Sequence, residues 1–396
     1  MTVSDYNITI LGGSFAGLSI AHYLLRHTIP ALEASNESRK YKITLITPST
    51  HFFFKVGAPR LCSPQLASID KAFIPIDDGF KNYPSDRFHF VQGEATGLDH
   101  DQKTISVTLT DSSETVTAAY DTLVLATGTT STSALWTLHG SHLTSRAAFK
   151  DLLLRLPTAH SITIVGGGPA GVETAGEIAA QYGRSKAITL LSGTTRLLHR
   201  LPPRAGRDAA AYLARLGVTV RHDLRLSSSS AIDAATGRTR LALSDGSTQT
   251  VDLFIDATGG KPNSAFLPAA WLTASGHVAT DGGTLRATAA GTRGVYAVGD
   301  VASYSLGSIF DVNNAIAPLA SSILVDLAAG TASAATQKIH KQSRTTTQLV
   351  PIGPNGGVGL LFGWRVPSWF VWLIKARTYF FEKAEALVMG KDWAKA

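Results

Sequence analysis

The sequence predicts an α/β protein: two doubly wound strand-turn-helix units, the second inserted in the first, followed by a helix-rich tail. Three observations carry this. A glycine-rich turn between an apolar strand and a helical run occurs twice, the plan around it recurs after about 150 residues, and the composition changes beyond residue 340. A chain of 396 residues exceeds what one ordinary core accommodates, so two or three domains are expected.

The first strand, Ile8-Thr9-Ile10-Leu11, runs straight into Gly12-Gly13-Ser14-Phe15-Ala16-Gly17, and the apolar spacing of 18–25 is helical. A polar loop containing Asn36, Glu37 and Ser38 leads to a second strand at 42–47. Residues 51–90 are mixed and loop-rich, after which alternation over 104–110 and the turn Asp111-Ser112-Ser113 read as a hairpin. A buried strand at 120–126 closes on Thr127-Gly128. The plan then restarts, with a strand at 161–165, a turn at 166–171, a helix at 172–181 and a returning strand at 187–191. Further strands are expected at 218–221, 240–243 and 251–255, and Ala257-Thr258-Gly259 repeats Ala126-Thr127-Gly128. A strand at 294–298 ends in Gly299-Asp300, a helix follows from about 313 to 329, and 331–347 is a polar linker.

A repeat of this length favours duplicated dinucleotide-binding units of the Rossmann type over a solenoid. It divides the chain into one unit from 1–130 and 262–340, an inserted unit at 131–261 and a tail at 341–396. Each glycine turn permits a sharp reversal, lets the backbone approach a pyrophosphate and aims a helix N-terminus at its charge. Gly166, Gly168 and Gly171, with Pro169 and Ala170 between them, complete G-x-G-x-x-G. The first copy reads Gly12, Ser14, Gly17, and the Ser14 hydroxyl can itself donate to a phosphate oxygen. Strands after such turns usually end in a carboxylate that binds a ribose 2′-hydroxyl. Here they end at Thr47-Pro48 and Ser192-Gly193, with Arg196 and Arg200 downstream, which keeps NADPH open beside NADH.

Composition narrows the function. With 44% apolar and 16% charged residues the chain is globular, and its net charge of +7 is scattered without a nucleic-acid-binding motif, so nucleic acid is not expected as a partner. Residues 341–396 hold 8 Lys+Arg against 3 Asp+Glu, and four of the six tryptophans, Trp364, Trp369, Trp372 and Trp393. A basic aromatic tail suits an anionic membrane surface. Apolar residues at 369, 372, 373, 376, 379, 380 and 387 have helical spacing, compatible with a helix packed on the body, a membrane-docking helix, or both. The single Cys62 cannot form a catalytic disulfide within the chain and reads as a small packed side chain. The histidines lack metal-ligand spacing, so no metal is expected. No signal, transit or acylation pattern opens the sequence, and the apolar run 369–374 is too short to span a bilayer. A cytoplasmic protein, soluble or peripheral on a membrane such as the mitochondrial outer surface or a lipid droplet, is expected. Nothing sets its oligomeric state.

The motifs GGSFAG at 12–17, LVLATG at 123–128, GGGPAGVETAGE at 166–177, DATGGKPN at 256–263 and VYAVGD at 295–300 together resemble the two-dinucleotide flavoproteins of the pyridine nucleotide-disulfide oxidoreductase superfamily. Within it, HFFFKVGAPR at 51–60, GVETAGE at 171–177, the tail GWRVPSWFVWLIKARTYF at 363–380 and the missing cysteine pair are similar to the apoptosis-inducing-factor-like group, which includes the ferroptosis suppressor protein and fungal relatives. Type II NADH dehydrogenases are close cousins. The resemblance implies FAD on Gly12, Gly13, Ser14, Phe15, Ala16 and Gly17, completed by Thr47, Lys55, Arg60, Ala126, Thr127, Gly128, Gly299 and Asp300, with Asp300 on the ribityl chain. It implies NADH or NADPH on Gly166, Gly168, Pro169, Ala170, Gly171, Glu173, Ser192, Arg196 and Gly259. Residues matching Glu173 and Lys375 are implicated in cofactor handling and activity, which for Lys375 needs the tail folded back over the flavin.

Plainer readings stand beside these. Asp300 can be a helix cap, Glu173 is favourable in a first helical turn through the macrodipole, and Lys375 can be a solvated lysine. The function implied is hydride transfer from NAD(P)H to FAD, then electron transfer to an apolar acceptor, foremost a quinone. The alternatives are a flavoenzyme acting on a small secondary metabolite and an NAD(P)H-responsive redox-signalling or cell-death factor.

Overall fold

Short apolar strands separated by helices cannot bury both faces alone, and they do so here by forming two parallel sheets. The computed structural model describes residues 4–35, 39–233, 237–328, 336–343 and 345–395. The polar loop at 36–38 and the linker's first part, 331–335, lie outside the described residues.

The first sheet has seven strands in the order Val295–Ala297, Thr122–Leu125, Ser4–Leu11, Arg39–Thr47, Phe88–Asp99, Thr104–Leu109, Thr115–Ala119. The first five run parallel and the last two add antiparallel as the expected hairpin. Parallel strands covered on both faces read as continuous apolar runs, and Ile8, Ile10, Ile43, Leu45, Leu123 and Val124 are wholly buried. Helices Phe15–Tyr23 and Ile309–Ala328 pack together over this sheet. The second sheet is fully parallel, ordered Val218–Arg221, Ala187–Leu191, Ser161–Val165, Leu253–Asp256. A separate antiparallel sheet of Leu226–Asp233, Arg238–Leu243 and Thr248–Val251 lies beside it.

Between the two parallel sheets the chain crosses at Thr129–Thr130 and returns at Lys261–Pro262, and these crossings pair antiparallel. The strand that completes the first sheet therefore follows the second sheet in sequence.

Three segments differ from expectation. The loop-rich stretch contains a 3₁₀ helix, Lys55–Cys62, and a short strand pair, His51–Phe53 with Phe73–Pro75. The polar linker is docked where it is described: His340 is buried and its Nδ1 donates to the Gly282 carbonyl at 2.8 Å. The tail opens on a three-stranded antiparallel sheet, Gln348–Pro351, Gly357–Leu361 and Trp364–Arg365, before any helix.

The tail's apolar stripe is also not one helix. Ser368–Val371 continues as a wider π turn at Trp372–Ala376, then breaks at Tyr379 and Phe380 (φ +51° and +60°) before Glu382–Val388. Left-handed backbone at an aromatic residue costs about 1–2 kcal/mol. The break is offset by burial, because it turns Tyr379 wholly inward and sets Phe381 against Gly57, where a Cβ would lie 2.3 Å from its ring.

Candidate active site

Each fingerprint is built on the same steric plan. Gly12 has φ +111° and its N–H donates to the Ile46 carbonyl at 2.8 Å, while a Cβ there would lie 2.3 Å from the Ala126 carbonyl oxygen. Gly166 has φ +130°, donates to Leu191 at 2.8 Å, and a Cβ would lie 2.4 Å from the Ala257 carbonyl. The repeated Ala-Thr-Gly thus has a local cause: each copy supplies the carbonyl on which a fingerprint glycine rests. The third glycines let the helix close on the turn, since a Cβ on Gly17 or Gly171 would lie 1.7 or 1.9 Å from the Gly12 or Gly166 carbonyl.

The central positions face open space or make no side-chain cap bond. A Cβ on Gly168 meets nothing within 4 Å, and Gly168 caps the helix Pro169–Tyr182 with Pro169 in the first turn. Ser14 caps Phe15–Tyr23 without a side-chain bond to that helix, so its hydroxyl is not spent there. The first N–H groups of a helix lack partners within it, and with open space over Gly168 and an uncommitted Ser14 hydroxyl both turns fit a dinucleotide pyrophosphate. Phe15 packs on Phe52 and Phe54 with ring centroids 4.9 and 5.8 Å away.

Thr47 and Ser192 occupy equivalent places, against Gly13 and Gly167. The Ser192 hydroxyl is buried and shares a 3.1 Å hydrogen bond with the Thr194 hydroxyl. Arg196 turns onto its own loop, donating to the His199 carbonyl at 2.7 Å and to Leu201 at 3.3 Å. Arg225, which sequence reading did not single out, lies on Gly193 and donates through Nε to its carbonyl at 3.3 Å.

The Gly299-Asp300 turn returns to the first fingerprint. A Cβ on Gly299 (φ +76°) would lie 3.2 Å from the Ala16 Cβ, and Asp300 pairs with Lys55 Nζ at 3.2 Å, both partly exposed. Thr127 donates to the Asn263 carbonyl at 2.7 Å, and the Asn263 N–H donates to the Gly128 carbonyl at 3.0 Å, tying the outgoing crossing to the returning one. Gly259 lies just before that return, with no atom within 4 Å of a Cβ position.

A second cluster forms where the tail folds onto the second fingerprint helix. Lys375 Nζ donates to Glu173 Oε1 at 2.6 Å and to the Leu349 carbonyl at 3.2 Å, with side chains 13% and 4% exposed for Lys375 and Glu173. One turn along, Glu177 meets Arg60 at Nε–Oε2 2.8 Å and Nη2–Oε1 3.0 Å, this pair being essentially fully buried. Arg60 also donates to the Ala376 carbonyl at 2.7 Å and lies 4.6 Å over the Tyr379 ring, whose hydroxyl donates to Glu177 at 3.3 Å.

The electrostatics follow from burial. Burial raises the Glu173 carboxyl, opposed by Lys375 and Arg60. Burial pushes Glu177 up to about 7, opposed by Arg60. Tyr379 is held well above the usual phenol range by burial and both carboxylates. Burial beside Glu177 raises the Cys62 thiol as well, so it remains protonated.

The structure thus gathers the expected residues into two groups, with Lys55, Asp300 and the first fingerprint in one, and Glu173, Lys375 and Arg60 in the other. The 3₁₀ helix Lys55–Cys62 joins them, with Lys55 and Arg60 about 10 Å apart along it at about 2 Å per residue. Arg60 stands with the second group. Glu177 and Tyr379 were not among the expected residues, although Glu173 and Glu177 at i, i+4 share a helix face. Among the described residues no cluster suits a metal ion.

A family model of the pyridine nucleotide-disulphide oxidoreductases matches residues 6–320. Oxidoreductase phnG of Penicillium herquei is 37% identical over 99% of this chain and 98% of its own length. Ferroptosis suppressor protein 1 of Homo sapiens is 26% identical over 94% and 93%, in line with the apoptosis-inducing-factor-like resemblance. The sulfide:quinone oxidoreductase of the hyperthermophilic bacterium Aquifex aeolicus superposes with a TM-score of 0.72 at 15% identity, over 97% of this chain and 92% of that one, showing a shared fold. With paired fingerprints, a returning Gly-Asp turn and this match, the chain belongs to the pyridine nucleotide-disulphide oxidoreductase family, a class that works with FAD and NAD(P)H.

Proposed function

We propose that this chain oxidises NADH or NADPH and delivers the electrons through FAD to an apolar acceptor, a quinone. The observation that carries the reading is the buried Lys375–Glu173 pair, which brings the tail onto the second fingerprint helix in a chain whose only cysteine is buried. Without a cysteine pair, no disulfide relay within the chain intervenes between nicotinamide and acceptor.

Bound FAD supplies the two-electron relay from nicotinamide to acceptor. Gly168 and the N–H groups behind it would hold the nicotinamide dinucleotide's pyrophosphate, and the first fingerprint with Lys55 and Asp300 would hold FAD. Glu173 and Lys375 exclude water and would hold a proton at Lys375 Nζ for an acceptor being reduced. The crossing strands 129–130 and 261–262 support division into an FAD unit at 1–130 and 262–340, an inserted NAD(P) unit at 131–261 and a tail at 341–396.

The acceptor's route is marked by exposed apolar side chains. Trp364 and Trp369 are 80% and 62% exposed, and Trp372, Leu373 and Ile374 are also exposed, immediately before Lys375. Among the described residues no helix is long and apolar enough to cross a membrane, so the contact proposed is peripheral, on a cytoplasmic face such as the mitochondrial outer surface or a lipid droplet.

Anaerobic addition of NADH or NADPH should bleach the yellow protein, and a short-chain quinone should restore the colour. Absence of bleaching would refute the reading, and faster reoxidation by a water-soluble metabolite would replace the quinone.

A further inference from the structure

We propose that Arg60 is a positioning residue whose guanidinium, anchored on Glu177, holds the tail turn at the height where Lys375 meets Glu173. This role rests on the NAD(P)H:acceptor reading for its consequence, though its geometry stands independently.

Glu173 and Glu177 sit four residues apart on one helix face, about 6 Å from each other, and either can accept an ammonium. Arg60 resolves the choice by occupying Glu177 with two contacts, Nε–Oε2 at 2.8 Å and Nη2–Oε1 at 3.0 Å. Glu173 is then left to Lys375.

The same guanidinium also grips the tail backbone. Carbonyls at the end of a helical turn lack partners within it. Here Arg60 Nη2 donates to the Ala376 carbonyl at 2.7 Å, and the Tyr379 N–H donates to the Lys375 carbonyl at 2.7 Å. The residue bearing the ammonium and its neighbour are both fixed by this cluster. Tyr379 closes it, its ring under Arg60 and its hydroxyl on Glu177.

Glu173 on the same helix face adds a like charge that also raises Glu177, and the other groups against it are uncharged: the protonated Cys62 thiol and the Ser63 hydroxyl, which donates to the Glu177 main-chain carbonyl. Arg60 is thus the only cation in direct contact with Glu177 among the described residues. A lysine cannot replace it, because a single ammonium does not reproduce a planar fork holding a carboxylate and a carbonyl at once.

The first test reads the geometry directly. Acetic anhydride labelling of the holoprotein, followed by peptide mass spectrometry, should modify Lys375 at least about fivefold faster in Arg60→Lys than in the parent. Exposed Lys383 serves as the reactive reference, and buried Lys186, which donates to the Pro157 and Ala159 carbonyls, reports global integrity. Should Lys186 lose protection in Arg60→Lys, Glu177→Gln decides instead, with at least about threefold faster Lys375 labelling expected. Lys375 labelling within twofold of the parent in the intact variant overturns the proposal.

The second test is a cycle. Arg60→Lys should slow quinone-dependent reoxidation about tenfold when Lys375 is present and less than twofold in Lys375→Ala. Equal factors in both backgrounds would mean that Arg60 does not act through Lys375. If NAD(P)H fails to bleach the parent protein the functional reading falls, and the labelling still decides the positioning role.

Discussion

Gly17 and Gly168 both belong to fingerprint turns, yet their surroundings predict opposite failures. A methyl on Gly17 runs into the Gly12 carbonyl, so Gly17→Ala should destabilise the fold by about 3 kcal/mol, read as a lower urea midpoint. A methyl on Gly168 meets only open space, so Gly168→Ala should leave that midpoint nearly unchanged while weakening NAD(P)H binding severalfold in a fluorescence titration. Equal losses of stability would contradict this division. Glu177 carries a pH signature. Its pKa is raised on folding, so the native state binds the extra proton; the associated stability is complete below about pH 4.5 and is lost as pH rises towards about 7. Glu177→Gln should flatten the melting temperature across that window, and an unaltered slope would show that other groups cause it. Arg225→Ala should lower kcat/KM for NADPH more than for NADH if the arginine on Gly193 faces a 2′-phosphate; identical changes for both donors would remove it from the ribose site.

At the level of elements, legibility in the sequence followed the range of the interactions. Strands at 161–165, 187–191 and 218–221 match expectation at both ends, because apolar runs and glycine turns are local signals. The Ala-Thr-Gly repeat was readable, although its cause, a carbonyl against a glycine, appears only when the strands pair. The tail was least legible. Its helical stripe was visible, but the break at Tyr379 and Phe380 answers to Gly57 and Glu177, more than 200 residues away in the chain. The last helix has an equally distant anchor. His22, held neutral by burial with its pKa lowered to about 4, donates to the Val388 carbonyl at 2.7 Å, and Arg26 donates to Met389 at 2.9 Å and also to Gly390. Arg26→Ala should therefore accelerate amide exchange across 382–393 by at least about tenfold while leaving 161–165 protected. Uniform acceleration would mean that the clasp supports the whole fold.

Across the whole molecule, the tail's charge and apolar side chains coincide. Phe362, Trp364, Trp369, Trp372, Leu373 and Ile374 are exposed within a segment that has a surplus of 5 positive charges over 341–396. Co-sedimentation with anionic vesicles should exceed that with zwitterionic ones, weaken with salt, and fall at least about tenfold in Trp364→Ala/Trp369→Ala/Trp372→Ala. Equal binding by the triple variant would remove this face from any membrane contact. The tail also spans the molecule, from its sheet beside the helices Pro169–Tyr182 and Pro203–Arg215 to the clasp on His22 and Arg26. Synthesis proceeds from the N-terminus, so both nucleotide folds can close on the ribosome while the cation over Glu173 is still untranslated. A transcript cut short before Lys375 would keep both fingerprints and, on the function proposed above, lack the lid that governs where their electrons go. The fault of such a chain would then emerge as misdirected reducing power.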